Sequence, residues 1–502
     1  MVAPPALSTS HRRTSLTITS PTGETSRVPV RGGFNVPAAG APAPRVEELP
    51  VPERLEVPLA SPRFRFTDIR VTDGQKVAAG GVLAVDPDRF GVPLLAPLGG
   101  TARLEDGRVV LEQLDDAPAE TSSGEPSVRR LVELGAWSFV ADARTREPVD
   151  PEAAPRGIVA SLLRLEPFLA GGEAQLPGAL ERVARGVASL SALAPDAPLY
   201  VVVPDAGWGI GAEVRAEARK IDGAHVVTAP LRFPFDDPAL VARFGGLPSE
   251  HDDVVWSLRT EGVLAVNAAL NEGRPALDRV VSVAGPAVAD PAHVRVPLGY
   301  PVDEILEGRL CRQPARVVGG GLLTGATLDE AQRGVDVECT GLTVLAEPTR
   351  QTLISFARPG VSRRSYSRTF VGTLRTDMSM RYRASLAGEL RPCISCGQCA
   401  DVCPAGILPG VIHKQLYAHR IEEAQRLRID LCVGCGLCSF VCPSKIDLRR
   451  EFLTTVAQLR EEAETIRAER AAAEEAAKLA EEEAAAAGES SPEAATAGEE
   501  TR

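Results

Sequence analysis

The sequence predicts a multidomain protein of mixed α/β and β architecture, with a small cysteine-rich domain toward its C-terminal end. At 502 residues the chain is long enough for several domains rather than one core. Its middle part alternates apolar runs typical of buried strands with helical patterns, which indicates an α/β layer. Eight of its ten cysteines form two copies of one spacing pattern, which indicates two related ligand loops.

Composition and charge argue against two broad classes of protein. The chain is 44% hydrophobic and 24% charged, and no stretch approaches the ~18 uninterrupted apolar residues of a transmembrane helix. The net charge is −12, and residues 460–502 hold 13 acidic and 5 basic residues. This acidic balance gives no support to nucleic-acid binding, so no nucleic-acid partner is expected. The opening segment lacks an apolar core of the length that a secretory signal needs.

The N-terminal part of the chain predicts a disordered segment followed by a β module. Residues 1–30 are polar and rich in Pro, Thr and Ser, which predicts disorder. Residues 31–125 show short strands separated by turns. The stretches 71–83 and 95–102 resemble the halves of a barrel-sandwich hybrid of the biotinyl and lipoyl type. Such domains carry a prosthetic group on a lysine between those halves, but residues 86–91 contain none, which favours a structural module.

Residues 126–295 are predicted to form a Rossmann-like α/β domain. The apolar run at 199–203 is typical of a buried parallel strand, and a glycine-rich loop at 204–211 leads into a helical pattern. A loop of this kind can bind phosphate at a helix N-terminus. Its spacing is G-x-G-x-G with bulky Trp208 inside, so a structural turn and a nucleotide site both remain open. Residues 280–286 predict a further core strand.

Residues 296–345 predict a small β-grasp module. Its segments 298–306 and 316–325 resemble the soluble-ligand-binding β-grasp (SLBB-like) module of flavin- and quinone-linked electron-transfer proteins. Three consecutive glycines at 319–321 allow either a bulge or contact with a ligand.

A basic connector is predicted at 346–387, just before the cysteine runs. Residues 358–391 contain eight arginines and two acidic residues. The arginines are Arg358, Arg363, Arg364, Arg368, Arg375, Arg381, Arg383 and Arg391. Such a segment could steer an acidic redox partner or touch an anionic membrane surface, or it could be a solvated linker.

The two cysteine runs share the pattern C-x2-C-x2-C-x3-C-P. The first run is Cys393, Cys396, Cys399 and Cys403 before Pro404, and the second is Cys432, Cys435, Cys438 and Cys442 before Pro443. This pattern resembles bacterial two-cluster ferredoxins, whose thiolates ligate two [4Fe–4S] clusters. We therefore predict a ferredoxin-type domain with two [4Fe–4S] clusters at residues 388–448. A zinc site would use paired cysteines, and a disulfide scaffold suits a small secreted chain.

The spacing also predicts which cysteines share a cluster. Three cysteines at intervals of three wrap one loop around a cluster, and the fourth leaves on the following helix and reaches the other cluster. Cluster 1 is thus assigned Cys393, Cys396, Cys399 and Cys442, and cluster 2 is assigned Cys432, Cys435, Cys438 and Cys403. Gly397, Gly434 and Gly436 are expected to let backbone N–H groups turn toward sulfur. No residue is assigned a catalytic role.

The remaining features concern the other cysteines, the cell compartment and the C-terminal segment. Cys311 and Cys339 are isolated, and we expect them to be buried free thiols. Residues 449–502 predict a charged helix to about residue 483, followed by a disordered acidic tail. Thiolate ligands of iron need reducing surroundings, which indicates the cytoplasm.

From Gly32 to about Arg449 the chain resembles the A subunit of the sodium-translocating NADH:quinone oxidoreductase. It is also similar to the C subunit of the Rnf-type electron-transport complexes. The resemblance is carried, besides the cysteine runs, by Gly-Phe-Asn-Val-Pro-Ala-Ala-Gly-Ala-Pro at 33–42, Leu-Gly-Ala-Trp-Ser at 134–138, Val-Ala-Gly-Pro at 283–286 and Phe-Ala-Arg-Pro-Gly at 356–360. Familiar quinone-reductase chains of this type keep only remnants of the second run. The Rnf counterpart has both runs, but also a Gly-Gly-Ala-Gly-Phe-Pro-type loop for flavin and NADH that this chain lacks. The chain therefore resembles a quinone-reductase body joined to an Rnf-type ferredoxin module.

The resemblance implies a peripheral electron-transfer role at the inner face of the cell membrane, in an NADH-linked complex that transports an ion such as sodium. Membrane subunits would move the ion, and a redox flavoprotein or ferredoxin would be a further partner. The chain would not be catalytic alone. Binding of FMN, or of a quinone such as ubiquinone, has no motif to support it. The alternative is a soluble flavin and iron–sulfur NAD(P)H-dependent reductase of the cobalamin-reductase type.

Overall fold

The computed structural model describes residues 14–205, 209–247, 253–311, 315–328, 333–347, 382, 384 and 390–489. The strands are β1 (Thr14–Thr19), β2 (Thr25–Val30), β3 (Val46–Glu48), β4 (Leu55–Pro58), β5 (Asp68–Ile69), β6 (Lys76–Val77), β7 (Val82–Asp86), β8 (Val92–Leu95), β9 (Gly99–Glu105), β10 (Arg108–Asp115), β11 (Ala141–Asp142), β12 (Gly157–Ser161), β13 (Leu199–Pro204), β14 (Ala224–Ala229), β15 (Val255–Arg259), β16 (Asp278–Ala284), β17 (Ala292–Pro297), β18 (Ala315–Gly319), β19 (Ala326–Thr327) and β20 (Gly341–Ala346). The helices are α1 (Val128–Glu133), α2 (Gly172–Gln175), α3 (Leu180–Leu193), α4 (Gly211–Ala218), α5 (Pro238–Phe244), α6 (Thr260–Asn271), α7 (Val302–Leu306), α8 (Gln398–Asp401), α9 (Pro409–Tyr417), α10 (Ile421–Arg426), α11 (Leu437–Val441) and α12 (Leu448–Glu489). Over these ranges no helix combines the length and the apolarity that crossing a membrane requires.

A seven-stranded sheet of order β11-β15-β12-β13-β14-β1-β2 forms the α/β layer. Its central strands β15, β12, β13 and β14 run parallel to one another. Every residue of β13 is buried, which its continuous apolar sequence predicts for a strand covered on both faces. The glycine-rich loop after β13 includes residues 206–208, which lie outside the described ranges, and α4 begins just after it at Gly211.

The predicted disorder of residues 1–30 is wrong for residues 14–30. β1 and β2 form a hairpin, and β1 pairs antiparallel with β14 at the edge of the seven-stranded sheet. Leu16 is fully buried and Val30 is almost so, which anchors the hairpin in the core. The polar composition of residues 14–30 is typical of disorder and gave no sign of this hairpin. The hairpin forms because Thr and Val favour strands and because it covers a sheet edge that would otherwise be unpaired. Residues 1–13 lie outside the described ranges.

Two small sheets, β4-β10-β9-β6 and β5-β7-β8, form the β module within residues 31–125. They share one core, to which Leu55, Leu83 and Leu111 belong. The β7–β8 hairpin turns at residues 87–91, the stretch without a lysine.

A six-stranded sheet of order β19-β18-β20-β16-β17-β3 corrects one predicted boundary. β16 pairs antiparallel with β17 and parallel with β20, so residues 280–286 belong to this sheet and not to the α/β layer. A boundary at residue 295 would divide the β16–β17 hairpin. The apolar run of β16 predicts a buried strand correctly, but its sequence carries no information about which sheet it joins.

The C-terminal part consists of the short helices α8 to α11 and the long helix α12. Ile412, Ala424, Ile429 and Phe452 form its own small core. The charged helix predicted from residue 449 is α12. The basic connector predicted at 346–387 lies almost wholly outside the described residues, as does the acidic tail after residue 489, and Arg391 is the one of the eight arginines that is described.

A buried histidine gives the fold a predictable pH dependence. His293 on β17 lies opposite Ser282 on β16, its Nδ1 is 2.8 Å from Ser282 Oγ, and burial lowers the pKa of His293 to about 4. The unfolded chain binds a proton near pH 6.5 and the folded chain near pH 4. The contribution of neutral His293 to the free energy of unfolding is therefore fully present above pH 6.5. It is lost as the pH drops from 6.5 to 4, which lowers the stability by roughly 3 kcal/mol. The free energy of unfolding of His293→Asn, measured by urea titration at pH 7 and at pH 4.5, should show much less of this pH dependence. The exposed His419→Asn should retain it.

Candidate metal centres

Each cysteine run lines a cavity, and the last cysteine of each run lies at the cavity of the other. The outer cavity, as we name it, is lined by Cys393, Cys396, Cys399 and Cys442. The inner cavity is lined by Cys432, Cys435, Cys438 and Cys403. The structure thus brings together the same two groups of four that the spacing predicts.

Glycines with positive φ allow each loop to turn into the helix behind it. Gly397 (φ +78°) immediately precedes α8, and Gly436 (φ +77°) immediately precedes α11. This conformation is unfavourable for a residue with a Cβ atom. α8 and α11 pack against each other, so the cysteines that follow them, Cys403 and Cys442, reach the neighbouring loop.

Backbone N–H groups point at several of the sulfur atoms. The N–H of Gly434 donates to Sγ of Cys432 at 3.4 Å. Further sulfur-directed amides belong to Gly410, toward Cys399, to Leu437, toward Cys435, and to Ala405, Gly406 and Ile407, toward Cys403. Hydrogen bonds to the charged form stabilise a thiolate, which is the form that binds metal.

In the absence of a metal, burial opposes the effect of these hydrogen bonds and raises the pKa values of the thiols. It raises the pKa of Cys435 to about 12, and it also raises the pKa of Cys403, Cys432 and Cys438. Positive charge from a metal is what converts such buried thiols to thiolates. Among the described residues no three His, Cys, Asp or Glu side chains meet at a point where one metal ion could be held. The thiols surround a space rather than a point, and with their amide donors they fit an iron–sulfur cluster in each cavity.

Two arginines hold the inner cysteine loop. Arg146 donates from Nη2 to the carbonyl of Val433 at 2.6 Å and pairs with the buried Asp237 at 2.5 Å. Asp237 is the main reason that the pKa of Arg146 is raised. Arg449 donates from Nε to the carbonyl of Gly434 at 2.7 Å. Both positive charges therefore lie beside the loop that carries Cys432 and Cys435.

The triglycine segment packs against a carboxylate rather than forming an isolated bulge. Glu166 accepts hydrogen bonds from the N–H groups of Leu323, at 3.2 Å, and Thr324, at 2.9 Å. A Cβ atom on Gly321 would lie 2.1 Å from Oε1 of Glu166, so a larger residue there would displace the Glu166 carboxylate. The carbonyl of Leu323 in turn lies 2.6 Å from where a Cβ atom of Gly436 would be. The loop between β18 and β19 of the six-stranded sheet therefore contacts the inner cysteine loop directly.

Residues 32–36, which we name the strap, tie the α/β layer to the cysteine domain. The N–H of Gly33 donates to the carbonyl of Val402 at 2.9 Å, and the N–H of Phe34 donates to that of Phe233 at 2.8 Å. The ring of Phe34 stacks on Phe440 with centroids 6.3 Å apart. The segment 33–42, rich in Gly and Pro, thus reaches the edge of the inner cavity.

The outer cavity opens on an apolar and exposed rim. Cys396 is exposed, and so are Ile394 (64%), Leu408 (49%) and Val411 (41%), all of which line the cavity. Lys414 stands beside them and donates from Nζ to Ser395 Oγ at 2.6 Å. Single exposed apolar residues are ordinary, but several around one opening mark a contact surface.

Other residues of interest in the sequence have structural roles. His413 on α9 pairs with Glu451 on α12 through Nδ1 and Oε2 at 2.7 Å. The expectation that both isolated cysteines are buried is wrong for Cys311, which is exposed, whereas Cys339 is partly buried. Free cysteines are commonly buried, but Cys311 follows β17 and α7 on the surface, and its sequence carries no sign of that position.

Domain comparisons define the class of protein. The profile of the 4Fe-4S dicluster domain matches residues 388–446, which confirms the prediction of two [4Fe–4S] clusters. The profile of the NQRA C-terminal domain, a soluble-ligand-binding module, matches residues 280–330. The chain is an iron–sulfur protein that joins these two domains.

Comparison with whole proteins confirms the resemblance to the quinone-reductase chain. The chain is 24% identical over 422 residues to the A subunit of the Na(+)-translocating NADH-quinone reductase of Psychromonas ingrahamii, covering 80% of this chain and 91% of the relative. It is 26% identical over 421 residues to that of Pseudomonas aeruginosa, with the same shares covered. A crystal structure of an NAD+-reducing [NiFe]-hydrogenase in the H2-reduced state covers 68% of this chain and 66% of its own, with 14% identity. Its TM-score of 0.38 is too low to support an argument.

The strap predicts the effect of one methyl group. Gly32 has φ +69°, and a Cβ atom there would lie 2.4 Å from the carbonyl oxygen of Cys403. Gly32→Ala should displace this inner-cavity cysteine, lower the iron content of the purified chain, and destabilise the fold by about 1–3 kcal/mol. Gly308→Ala is the matched control, since its φ is +68°, nothing lies within 4 Å of the added atom, and Gly308 lines neither cysteine cavity. Equal iron contents and melting temperatures in the two variants would contradict the account of the strap.

Proposed function

We propose that this chain is the peripheral electron-transfer subunit of a membrane-bound, NADH-linked, ion-translocating oxidoreductase, and that it relays electrons through two [4Fe–4S] clusters. The observation that carries the proposal is the pair of cavities, each lined by three cysteines of one run and the last cysteine of the other. The relatives named as subunits of a sodium-translocating NADH–quinone reductase support the type of complex.

The lining of the two cavities supports an assignment of the cluster ligands. Cys393, Cys396, Cys399 and Cys442 hold the cluster of the outer cavity, and Cys432, Cys435, Cys438 and Cys403 hold that of the inner cavity. When bound, each cluster accepts and releases one electron at a time. The chain tunes the two sites differently: Arg146 and Arg449 place positive charge at the inner loop, while the outer cysteines are nearer to water. Positive charge and burial both change the potential at which a site accepts an electron.

The difference in exposure between the two cavities supports an orientation of the relay, with its outer end at the surface. The inner cavity faces the α/β layer and the six-stranded sheet, and the outer cavity opens to the surface through Ile394, Leu408 and Val411. A redox flavoprotein or ferredoxin partner docks at this rim, where Lys414 favours an acidic surface on the partner. The membrane subunits, which provide the ion path, contact other faces of the chain, and the chain lies at the inner face of the cell membrane.

The body of the chain serves as the scaffold of this relay. The two small sheets within residues 31–125 are a barrel-sandwich hybrid, and the seven-stranded sheet is a Rossmann-like domain in this proposal. The parallel strands β15, β12, β13 and β14 with their connecting helices support the second assignment. The turn at 87–91 has no lysine to carry a prosthetic group, which supports a purely structural role for the first.

The crossed arrangement predicts a specific effect for one substitution. Cys403 belongs to the first run in sequence, but it lines the inner cavity with the second run. Cys403→Ser should therefore convert or abolish the cluster of Cys432, Cys435 and Cys438 and leave the outer cluster intact. Iron analysis with EPR of the dithionite-reduced chain measures this, and Cys311→Ser is the control on an exposed cysteine that lines neither cavity. If Cys403→Ser and Cys399→Ser alter the same cluster, the assignment is wrong.

The direction of electron entry decides between the relay and a self-sufficient reductase. The anaerobic chain with both clusters is treated first with NADH alone and then with dithionite, and reduced clusters are detected by EPR. A relay that depends on a partner flavoprotein gives [4Fe–4S]⁺ signals only after dithionite. Rapid reduction by NADH would instead support the soluble NAD(P)H-dependent reductase, and it would overturn the proposal.

A further inference from the structure

The loop that follows β11 contains a strained residue at the edge of the cysteine domain. Arg146 has φ +64°, a left-handed conformation that is unfavourable for a residue with a Cβ atom. Its backbone N–H donates to the carbonyl of Asp142 at 2.8 Å. Residues persist in such a conformation only where their surroundings fix them, and they are concentrated at functional sites. The contacts of Arg146 therefore indicate what it serves.

The side chain of Arg146 reaches the inner cysteine loop from outside the cysteine domain. Its Nη2 atom donates to the carbonyl of Val433 at 2.6 Å and to Oδ2 of Asp237 at 2.5 Å. Val433 lies between Cys432 and Cys435 in the sequence. Asp237 is the largest cause of the raised pKa of Arg146, and Cys435 and Cys432 contribute in the same direction. The guanidinium charge is therefore close enough to the inner cysteines to interact with them.

Asp237 places a negative charge beside this positive one. Its side chain is only 7% exposed, and its Oδ1 atom accepts a hydrogen bond from the N–H of Ala239 at 3.0 Å. Burial raises the pKa of Cys432, and Arg146 is among the groups that oppose this increase. Burial also raises the pKa of Cys435 to about 12, and Asp237 adds to that increase. The two charges therefore act on the thiolates of the inner loop with opposite signs.

The β module holds the backbone of Arg146 through Arg63, which lies between β4 and β5. Arg63 donates from Nη1 to the carbonyl of Arg146 at 3.0 Å. Its Nε atom pairs with Oε1 of Glu338, on the segment that leads into β20, and Glu338 also accepts a hydrogen bond from Oγ of Ser61 at 2.6 Å. An arginine offers its donors in a rigid fork, which the single nitrogen of a lysine does not match. Arg63 thus holds Glu338 and Arg146 at the same time.

From these contacts we infer that Arg146 is a positioning residue of the inner cluster, that its charge raises the potential at which this cluster accepts an electron, and that Arg63 keeps it in place from the β module. The inference rests on the proposed function, because it needs a cluster in the inner cavity. Reduction adds a negative charge to a cluster, so a nearby positive charge favours the reduced state and a nearby negative charge opposes it. Arg63 lines neither cysteine cavity, so its effect passes through Arg146.

Two substitutions of opposite sign test the charge, by EPR-monitored redox titration of the full chain with both clusters. Arg146→Asn removes the positive charge, and asparagine tolerates the left-handed backbone. It should make reduction of the inner cluster, the one that Cys403→Ser alters, about tenfold less favourable, which lowers its potential by about 59 mV. The Arg146 side chain is 45% exposed, so solvent limits the effect. Arg146→Lys should keep most of the potential, and Asp237→Asn should raise it.

A purely structural role of the pair predicts a different result. Loosening of the inner loop would shift the potential in the same direction in Arg146→Asn and Asp237→Asn, or leave it unchanged, and either result overturns the inference. If Arg146→Asn loses the inner cluster, as iron analysis would show, Asp237→Asn decides alone. An unchanged or lowered potential in that variant then overturns the inference.

A double substitution tests the role of Arg63. Arg63→Lys can keep the ion pair with Glu338 but loses the fork, so it should lower the inner potential by less than Arg146→Asn does. In the Arg146→Asn chain it should have no further effect, because it acts through Arg146. Arg89→Lys is the matched control, since Arg89 pairs with the neighbouring Glu147 at 3.2 Å from the same module, and it should leave both potentials unchanged. No shift in Arg63→Lys, or an equal shift with and without Arg146, would refute the role of Arg63.

The same titration separates this inference from the proposed function. An unsubstituted chain without two reducible clusters would refute the proposed function. Two reducible clusters whose potentials do not respond to Arg146→Asn and Asp237→Asn would refute this inference alone.

Discussion

The structure depends on one constraint: each cysteine run supplies its last sulfur to the cavity of the other run. Cys403 and Cys442 can do this only if α8 and α11 pack against each other, so neither loop can form its site alone. The glycines before these helices, Gly397 and Gly436, permit the sharp turn on which this packing depends. Metal binding and folding of the domain are therefore coupled, as is general for sites that the unfolded chain does not contain.

The surroundings make the two equivalent runs different. The inner cavity is enclosed by the strap, by the loop of Leu323, and by Arg146 and Arg449, each reaching it from a different part of the chain. The outer cavity keeps an exposed apolar rim. Two similar loops are thereby placed in unlike dielectric and electrostatic environments. That difference is what an electron relay requires of its two ends, since burial and nearby charge set the ease of reduction.

The eight cysteines of the proposed metal site can be predicted from the sequence, whereas the residues that surround them cannot, for a physical reason. Cluster ligation demands fixed residue types at fixed short spacings, so the eight cysteines and their glycines are visible in a single chain. The contacts of Arg146 with Val433 and of Glu166 with Thr324 join residues that lie far apart in sequence, and an arginine or glutamate in a loop carries no sign of its partner.

The same limit explains the errors in the predicted fold. The hairpin of residues 14–30 gains its stability by pairing with β14, some two hundred residues away, and β16 joins the six-stranded sheet only through β17 and β20. Local patterns of polarity fix which segments are extended or helical, whereas long-range pairing decides which domain they join.

The central claim is that this chain holds two [4Fe–4S] clusters close enough to exchange electrons. The most direct measurement is iron and sulfide analysis of the anaerobically reconstituted chain, combined with EPR during a stepwise reductive titration. The account predicts about eight iron atoms and eight sulfides per chain, and a signal that broadens through spin coupling once both clusters are reduced. Four iron atoms per chain, or two signals that show no coupling at full reduction, would contradict it.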